Sequence, residues 1–262
     1  MKKVLLQCLE KAGGIIRKGF GKAHRIRKKA PVSLVTEIDM AADRAVISII
    51  RKHFPGHAIL TEESVPSLTG SPYRWIIDPL DGTTNFAHEI PLCGVSIAVE
   101  HRGDIILGGI FNPILNELYF TEKGGGAWLN GRRLAVSRTG VLLDSLLVTG
   151  FPYDRREKAH YYLKFHEPLL AACQGVRRLG AAALDLAYVA AGRFEAFWEM
   201  NLQPWDIAAG ILLVEEAGGR VTDYSGGPID VDRPGQILAS NGRIHPSLQK
   251  IFKKIINSPL TK

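Results

Sequence analysis

Asp78 and Asp81 stand either side of Pro79-Leu80, in a stretch that reads Trp75-Ile76-Ile77-Asp78-Pro79-Leu80-Asp81-Gly82-Thr83-Thr84-Asn85-Phe86. An apolar run that reads as a strand thus delivers two carboxylates to its carboxyl end. A glycine and two hydroxyls follow and suit a tight turn into a helix. Paired carboxylates beside free backbone N–H groups can hold hard cations and an anion together. A short acidic strand-to-turn junction is the other reading of the Asp-x-x-Asp-Gly core, because Asp and Gly are common turn residues. Pro79 carries no N–H, so the strand ladder is expected to stop there.

Other acids sit where elements begin or end. Thr36 and Asp39 have the spacing of a capping box, with Asp replacing the usual Glu or Gln. Asp39 either caps a helix or, from its first turn, faces a cation-binding cleft, and the two roles are compatible. Glu62 and Glu63 follow the apolar run Ala58-Ile59-Leu60, as a loop or as a ligand site. Asp206 comes two residues after Pro204, in the first turn of a helix whose dipole favours an anion there. His88 follows the acidic stretch and reads as an ordinary, partly exposed histidine.

The elements that must position these groups follow from periodicity. Val4, Leu5, Leu9, Ala12, Ile16 and Phe20 fall at helical spacing, and Ile38, Ala42, Val46, Ile49 and Ile50 form the buried stripe of a second helix. Phe54-Pro55-Gly56-His57 ends that helix. Residues 92–136 alternate as strands and turns, with Asn130-Gly131 a hairpin signal. Beyond residue 140 strands and helices alternate, with strands at 145–150, 175–180, 194–198, 221–223 and 236–240. Helices are expected at 154–173, 181–191, 204–217 and 245–256. The chain therefore divides into an antiparallel-rich α+β half, residues 1–140, and a smaller α/β half, residues 141–262.

At 262 residues the chain can bury a sizeable core. No apolar run is long enough to span a membrane. Gln7, Glu10 and Lys11 interrupt the first apolar stretch, so it lacks the core of a signal peptide, and a cytoplasmic location is expected. Cys8, Cys93 and Cys173 are too scattered for a zinc site or a disulfide framework. The net charge of +7 favours anionic partners or serves solubility alone. The basic run at residues 17–29 suits either an RNA or polymerase contact or a solvated loop that draws phosphate esters towards a site.

The stretch from Trp75 to Phe86 resembles the metal-and-phosphate motif of the inositol monophosphatase family, magnesium-dependent and lithium-sensitive sugar phosphatases. Pro204-Trp205-Asp206, followed by Ala208, Ala209 and Gly210, resembles the family's second motif. Val35-Thr36 with Asp39, and Thr61-Glu62-Glu63-Ser64, match two more, so that the resemblance runs from roughly residue 4 to residue 250. It implies a layered αβαβα sugar-phosphatase fold, a homodimer and two or three Mg2+ ions. One ion would be held by Glu62, Asp78 and the Leu80 carbonyl, another by Asp78, Asp81 and Asp206, and a looser third by Glu62 and water. Thr83 with Glu62 would orient the metal-activated water, tuned by Asp39 and Thr36. Gly82 and Thr83 would receive phosphate oxygens, and Asp81, Gly180, Ala182, Glu199 and Asp206 would meet the alcohol. No phosphoenzyme is implied. The resemblance points to an inositol-1-monophosphatase. Fructose-1,6-bisphosphatase or another small phosphate-ester phosphatase is the alternative, as is a bacterial member that also binds RNA or RNA polymerase.

Overall fold

The computed structural model describes residues 1–22, 26–30, 33–67 and 69–258. Helix α1 (Lys2–Gly19) buries Val4, Leu5, Cys8, Leu9, Ala12 and Ile16, the stripe its spacing predicts. Helix α2 (Glu37–His53) buries Ala42, Val46 and Ile50, and on the same stripe Asp39 and Asp43. Before α2, strands β1 (Ile26–Ala30) and β2 (Ser33–Thr36) pair antiparallel, with Ile26 opposite Thr36. The run expected to be a solvated loop is therefore helix as far as Gly19 and strand from Ile26, and its centre lies outside the described residues. Arg17, at its start, is tied into the fold, its Nε donating to the Pro113 carbonyl at 2.8 Å.

The larger sheet is built in chain order from seven strands. These are β3 (Ala58–Thr61), β4 (Tyr73–Asp81), β5 (Gly94–His101), β6 (Asp104–Asn112), β7 (Glu117–Glu122), β8 (Gly126–Leu129) and β9 (Arg132–Arg133). Only β3 and β4 run parallel; the rest form the expected meander. Asn130 and Gly131 both take positive φ between β8 and β9, as a two-residue hairpin turn requires. A short helix, α3 (Thr83–Ala87), interrupts the sheet after β4.

Strand β4 corrects one expectation. It does not stop at Pro79 but continues to Asp81. Asp78 pairs with Ser96 and Asp81 with Gly94, so three steps on β4 oppose two on β5. The extra residue is a β-bulge, and a bulge needs no ladder hydrogen bond from the proline.

The second sheet has the order β11-β10-β12-β14-β13. Its strands are β10 (Leu146–Thr149), β11 (Gly175–Arg177), β12 (Ala196–Met200), β13 (Arg220–Thr222) and β14 (Gln236–Ser240). β10 runs parallel to β11 and β12, whereas β14 is antiparallel to both β12 and β13. The helices between and after them are α4 (Arg155–Ala172), α5 (Ala182–Ala190), α6 (Pro204–Glu216) and α7 (His245–Ile256).

Three apolar clusters show how these pieces stack. One packs α1 and α2 on the outer face of the larger sheet, and another packs α4 and α7 on the outer face of the smaller. The third joins both sheets through α5 and α6, which lie between them. The architecture is the layered αβαβα arrangement. Every residue of α5 is buried, so its run of alanines is the condition for a helix pressed on all sides. Among the described residues no helix is long and apolar enough to cross a membrane.

Gly210 marks a close approach of the two central helices, since a Cβ there would sit 2.5 Å from Leu186 Cδ1 and 2.6 Å from its Cβ. Alanine normally gains up to about 1 kcal/mol over glycine inside a helix. Overpacking a tight core costs about 1–3 kcal/mol, which outweighs that gain. Gly210→Ala is therefore expected to lower stability, read as a fall in the urea midpoint at unchanged slope. A rise would show that the two helices can separate freely.

Candidate active site

Side chains on a regular strand alternate between faces, so residues three apart point opposite ways. The extra residue of the β4 bulge cancels that alternation, and Asp78 and Asp81 line the same cavity. This cavity, of about 380 Å³, is also lined by Glu62 from the end of β3, Asp206 from the start of α6 and Glu199 from β12. Leu80, Gly82, Thr83, Gly180 and Ala182 line it too. Segments far apart in sequence thus meet as expected. Gly82 is demanded by its place: its φ is +80°, and a Cβ would come within 2.9 Å of the Leu92 carbonyl oxygen. Asn85 ties this loop to the next wall, its Nδ2 donating to Leu92 O at 2.7 Å and Leu179 O at 2.8 Å.

Thr36 and Asp39 do not line the cavity; they connect to it through Thr83. Asp39 Oδ2 accepts from the Thr36 backbone N–H at 2.9 Å and from its hydroxyl at 2.5 Å, which closes the expected capping box. The other oxygen, Oδ1, lies 2.9 Å from Thr83 Oγ1, which is also 3.0 Å from the Leu80 carbonyl. With Asp39 ionised both neighbours only accept, so the Thr83 proton is committed to them. Its lone pairs are left to accept a hydrogen bond from a donor in the cavity. Capping and site-building therefore use one carboxylate. His88 is exposed and does not line the cavity.

Several participants escaped the sequence reading. Asp43, fully buried, accepts from Thr61 Oγ1 at 2.6 Å and from the Ser64 hydroxyl. It thereby clamps both flanks of the turn that carries Glu62. The signal was present, since Asp43 lies four residues after Asp39 and so on the same helix face. Asp185, Arg155, Arg178 and Tyr153 also line the cavity, and none belongs to a recognisable acidic motif. Gly150 makes room for Glu199, whose carboxylate would meet a Cβ at 2.1–2.4 Å.

The electrostatics follow from burying so many acids together. Burial, and then the charges of Glu62, Asp81 and Asp206, push Asp78 well above the usual carboxylate range. Asp206 is raised likewise by burial, with Asp81 and Glu62 adding to it. Burial pushes Asp81 up to about 7, against backbone N–H groups of α5 that favour its charge. Burial pushes Glu199 up to about 8, opposed by Arg178.

Each central acid spends one oxygen on the backbone. Asp78 Oδ1 accepts from Leu80 N–H at 2.9 Å, Asp81 Oδ2 from Ala183 N–H at 2.9 Å, and Asp206 Oδ2 from Gln203 N–H at 2.7 Å. Among the described residues no three acid, histidine or cysteine side chains close on a single point as a ready-made cage. What the cavity offers is separate carboxylates and a carbonyl, all hard donors. That set suits a cation that keeps part of its water shell.

Acid-lined on one side and opening onto a glycine–threonine turn on the other, such a cavity on an αβαβα fold defines a phosphate-ester hydrolase. Over residues 1–257 the chain matches the inositol monophosphatase family, and it belongs to that family. It is 44% identical over 258 residues to an inositol-1-monophosphatase of Mesorhizobium japonicum, with 97% of each chain covered. It is 42% identical over 247 residues to the Nus factor SuhB of Escherichia coli, covering 93% of this chain and 92% of that one. The solved extragenic suppressor protein suhB from Bartonella henselae has a TM-score of 0.92 at 43% identity, covering 97% of this chain and 98% of the other. An IMPase/NADP phosphatase complexed with Mg2+ and phosphate has a TM-score of 0.84 at 26% identity, covering 95% and 94%.

The raised carboxyl of Glu199 gives a pH signature. A carboxyl whose folded pKa is about 8 against an ordinary 4.5 costs nothing below pH 4.5, where both states hold the proton. Between those values the folded state holds the extra proton, so stability falls as pH rises, by up to about 1.4 kcal/mol per pH unit for one group. Above the folded pKa the loss is complete and constant. Metal-free protein is therefore expected to lose stability from pH 5 to pH 8, and Glu199→Gln to lose less over that interval. Urea midpoints in a chelating buffer at the two pH values check this.

Proposed function

We propose that the chain is an Mg2+-dependent phosphate monoester hydrolase acting on inositol 1-phosphate. Fructose 1,6-bisphosphate and other small phosphate esters are the alternative substrates. The observation that carries the reading is the convergence of Glu62, Asp78, Asp81 and Asp206 on one cavity beside Gly82 and Thr83. The relatives named inositol-1-monophosphatase support the choice of substrate. The family member solved with Mg2+ and phosphate supports the cation.

Phosphate monoesters hydrolyse extremely slowly unaided, so electrostatic stabilisation must supply most of the acceleration. Glu62, Asp78, the Leu80 carbonyl, Asp81 and Asp206 would hold two or three Mg2+ ions, which would supply positive charge against the phosphoryl oxygens and the departing alkoxide. The protein's own groups do the rest. The backbone N–H groups of Gly82 and Thr83 receive phosphoryl oxygens. Thr83 Oγ1, its own proton committed to Asp39 or Leu80, accepts from the attacking water and with Glu62 aims it in line with the leaving oxygen. Thr36 and Asp39 hold Thr83 in that state. Asp81, Gly180, Ala182, Glu199 and Asp206 meet the alcohol. No side-chain nucleophile is needed, and no phosphoenzyme forms.

A homodimer belongs to the same reading on family membership alone, and the cytoplasmic location expected from the sequence goes with it. The SuhB-named relatives support an added role in binding RNA or RNA polymerase, beside catalysis and not in place of it. The decisive experiment concerns the acids. Asp81→Asn and Asp206→Asn are each expected to cut Mg2+-dependent phosphate release from inositol 1-phosphate by at least about 100-fold, the scale of removing one preorganised electrostatic group. Circular dichroism should remain that of the folded protein. Near-normal turnover in both variants would overturn the assignment.

A further inference from the structure

One buried acid of the cavity has no task in this mechanism. Asp185 lies in the first turn of α5 and lines the cavity, yet it is only 1% exposed. Among the described residues neither of its carboxyl oxygens has a hydrogen-bond partner. Backbone N–H groups at the same helix start, from Ala182, Ala183 and Leu184, turn to Asp81 instead. Buried polar side chains in native proteins are almost always paired, so an orphaned carboxyl in a cavity wall calls for a partner from outside the chain.

We propose that Asp185 is a specificity-determining residue, its carboxyl pairing with hydroxyl groups on the alcohol half of the ester. The inference rests on the phosphatase reading and sharpens it towards a polyhydroxylated alcohol. Glu199 and Arg178 line the same cavity, and the charges of both act on Asp185. Two acids alone would suit an ammonium group as well as hydroxyls. The Arg178 guanidinium on the same wall repels a cationic leaving group, and hydroxyls, which donate and accept, satisfy acids and arginine alike. Burial also drives the Asp185 carboxyl towards its neutral form, in which it both donates and accepts.

The test compares an ester with a hydroxyl-rich alcohol and one without. For wild type, Asp185→Leu, Asp185→Ala and Asp185→Asn, kcat/KM is measured with inositol 1-phosphate and with 4-nitrophenyl phosphate. The ratio of the two values is expected to fall roughly tenfold or more in the leucine and alanine variants, as when a hydrogen-bonding site loses its partner. Asparagine, which also donates and accepts, should restore most of it. A ratio within about twofold of wild type in both deletion variants would make Asp185 a mere core acid. Binding of free myo-inositol, followed by saturation-transfer NMR with Mg2+ and inorganic phosphate present, separates this from the fate of the phosphatase reading. A signal in wild type that is lost in both deletion variants supports the inference even if no ester is hydrolysed. Equal signals in wild type and variants, or none in wild type, overturn it.

Discussion

Like charges crowded into a dry space repel, and the whole molecule is arranged to hold them there anyway. Glu62, Asp78, Asp81, Asp206 and Glu199 share one cavity. Left to themselves such groups would move apart or take up protons, which is the direction in which burial and mutual repulsion push Asp78, Asp81 and Asp206. The fold resists by giving each of these three a backbone anchor. Leu80 holds Asp78, the first turn of α5 holds Asp81, and Gln203 holds Asp206. Repulsion that has been locked in this way becomes a standing attraction for a divalent cation and, behind it, a phosphoryl group.

The anchors explain why the chain is layered as it is. Two of them are helix N-termini, and both helices lie between the sheets, where their starts can reach the ends of strands on either side. Reaching that position requires small residues. Ala181 to Ala183, Ala187 and Ala190 in and before α5, and Gly210 in α6, let helix and sheet backbones come close. Gly108 plays the matching part on the larger sheet, where a Cβ would lie 3.0 Å from the Ala209 carbonyl oxygen. Small side chains here are a packing requirement that places the acids, not an absence of information.

Most of this could be read from the sequence because the acids fall at element boundaries and boundaries carry local signals. The Thr36–Asp39 capping box, Pro204 opening α6 and the Asn130-Gly131 turn all stand where local chemistry put them. The residues that were not legible depend on non-local pairing. Whether β4 stopped at Pro79 depended on what β5 would do opposite it, and a bulge absorbed the proline. Asp43 looked like one more helix residue until Thr61 and Ser64 were brought to it across eighteen and twenty-one positions of chain. Asp185 sits in an alanine-rich helix without any flanking acid, so only the cavity singles it out.

The middle layer has a mechanical consequence. Asp78 and Asp81 belong to one sheet, Glu199 to the other, and Asp206 to a helix wedged between them. A clam-like parting of the sheets would scatter these acids and expose the buried faces of α5 and α6 at the same stroke. Tyr153, which lines the cavity and is itself exposed, is a surface that an entering ester can meet without any such parting.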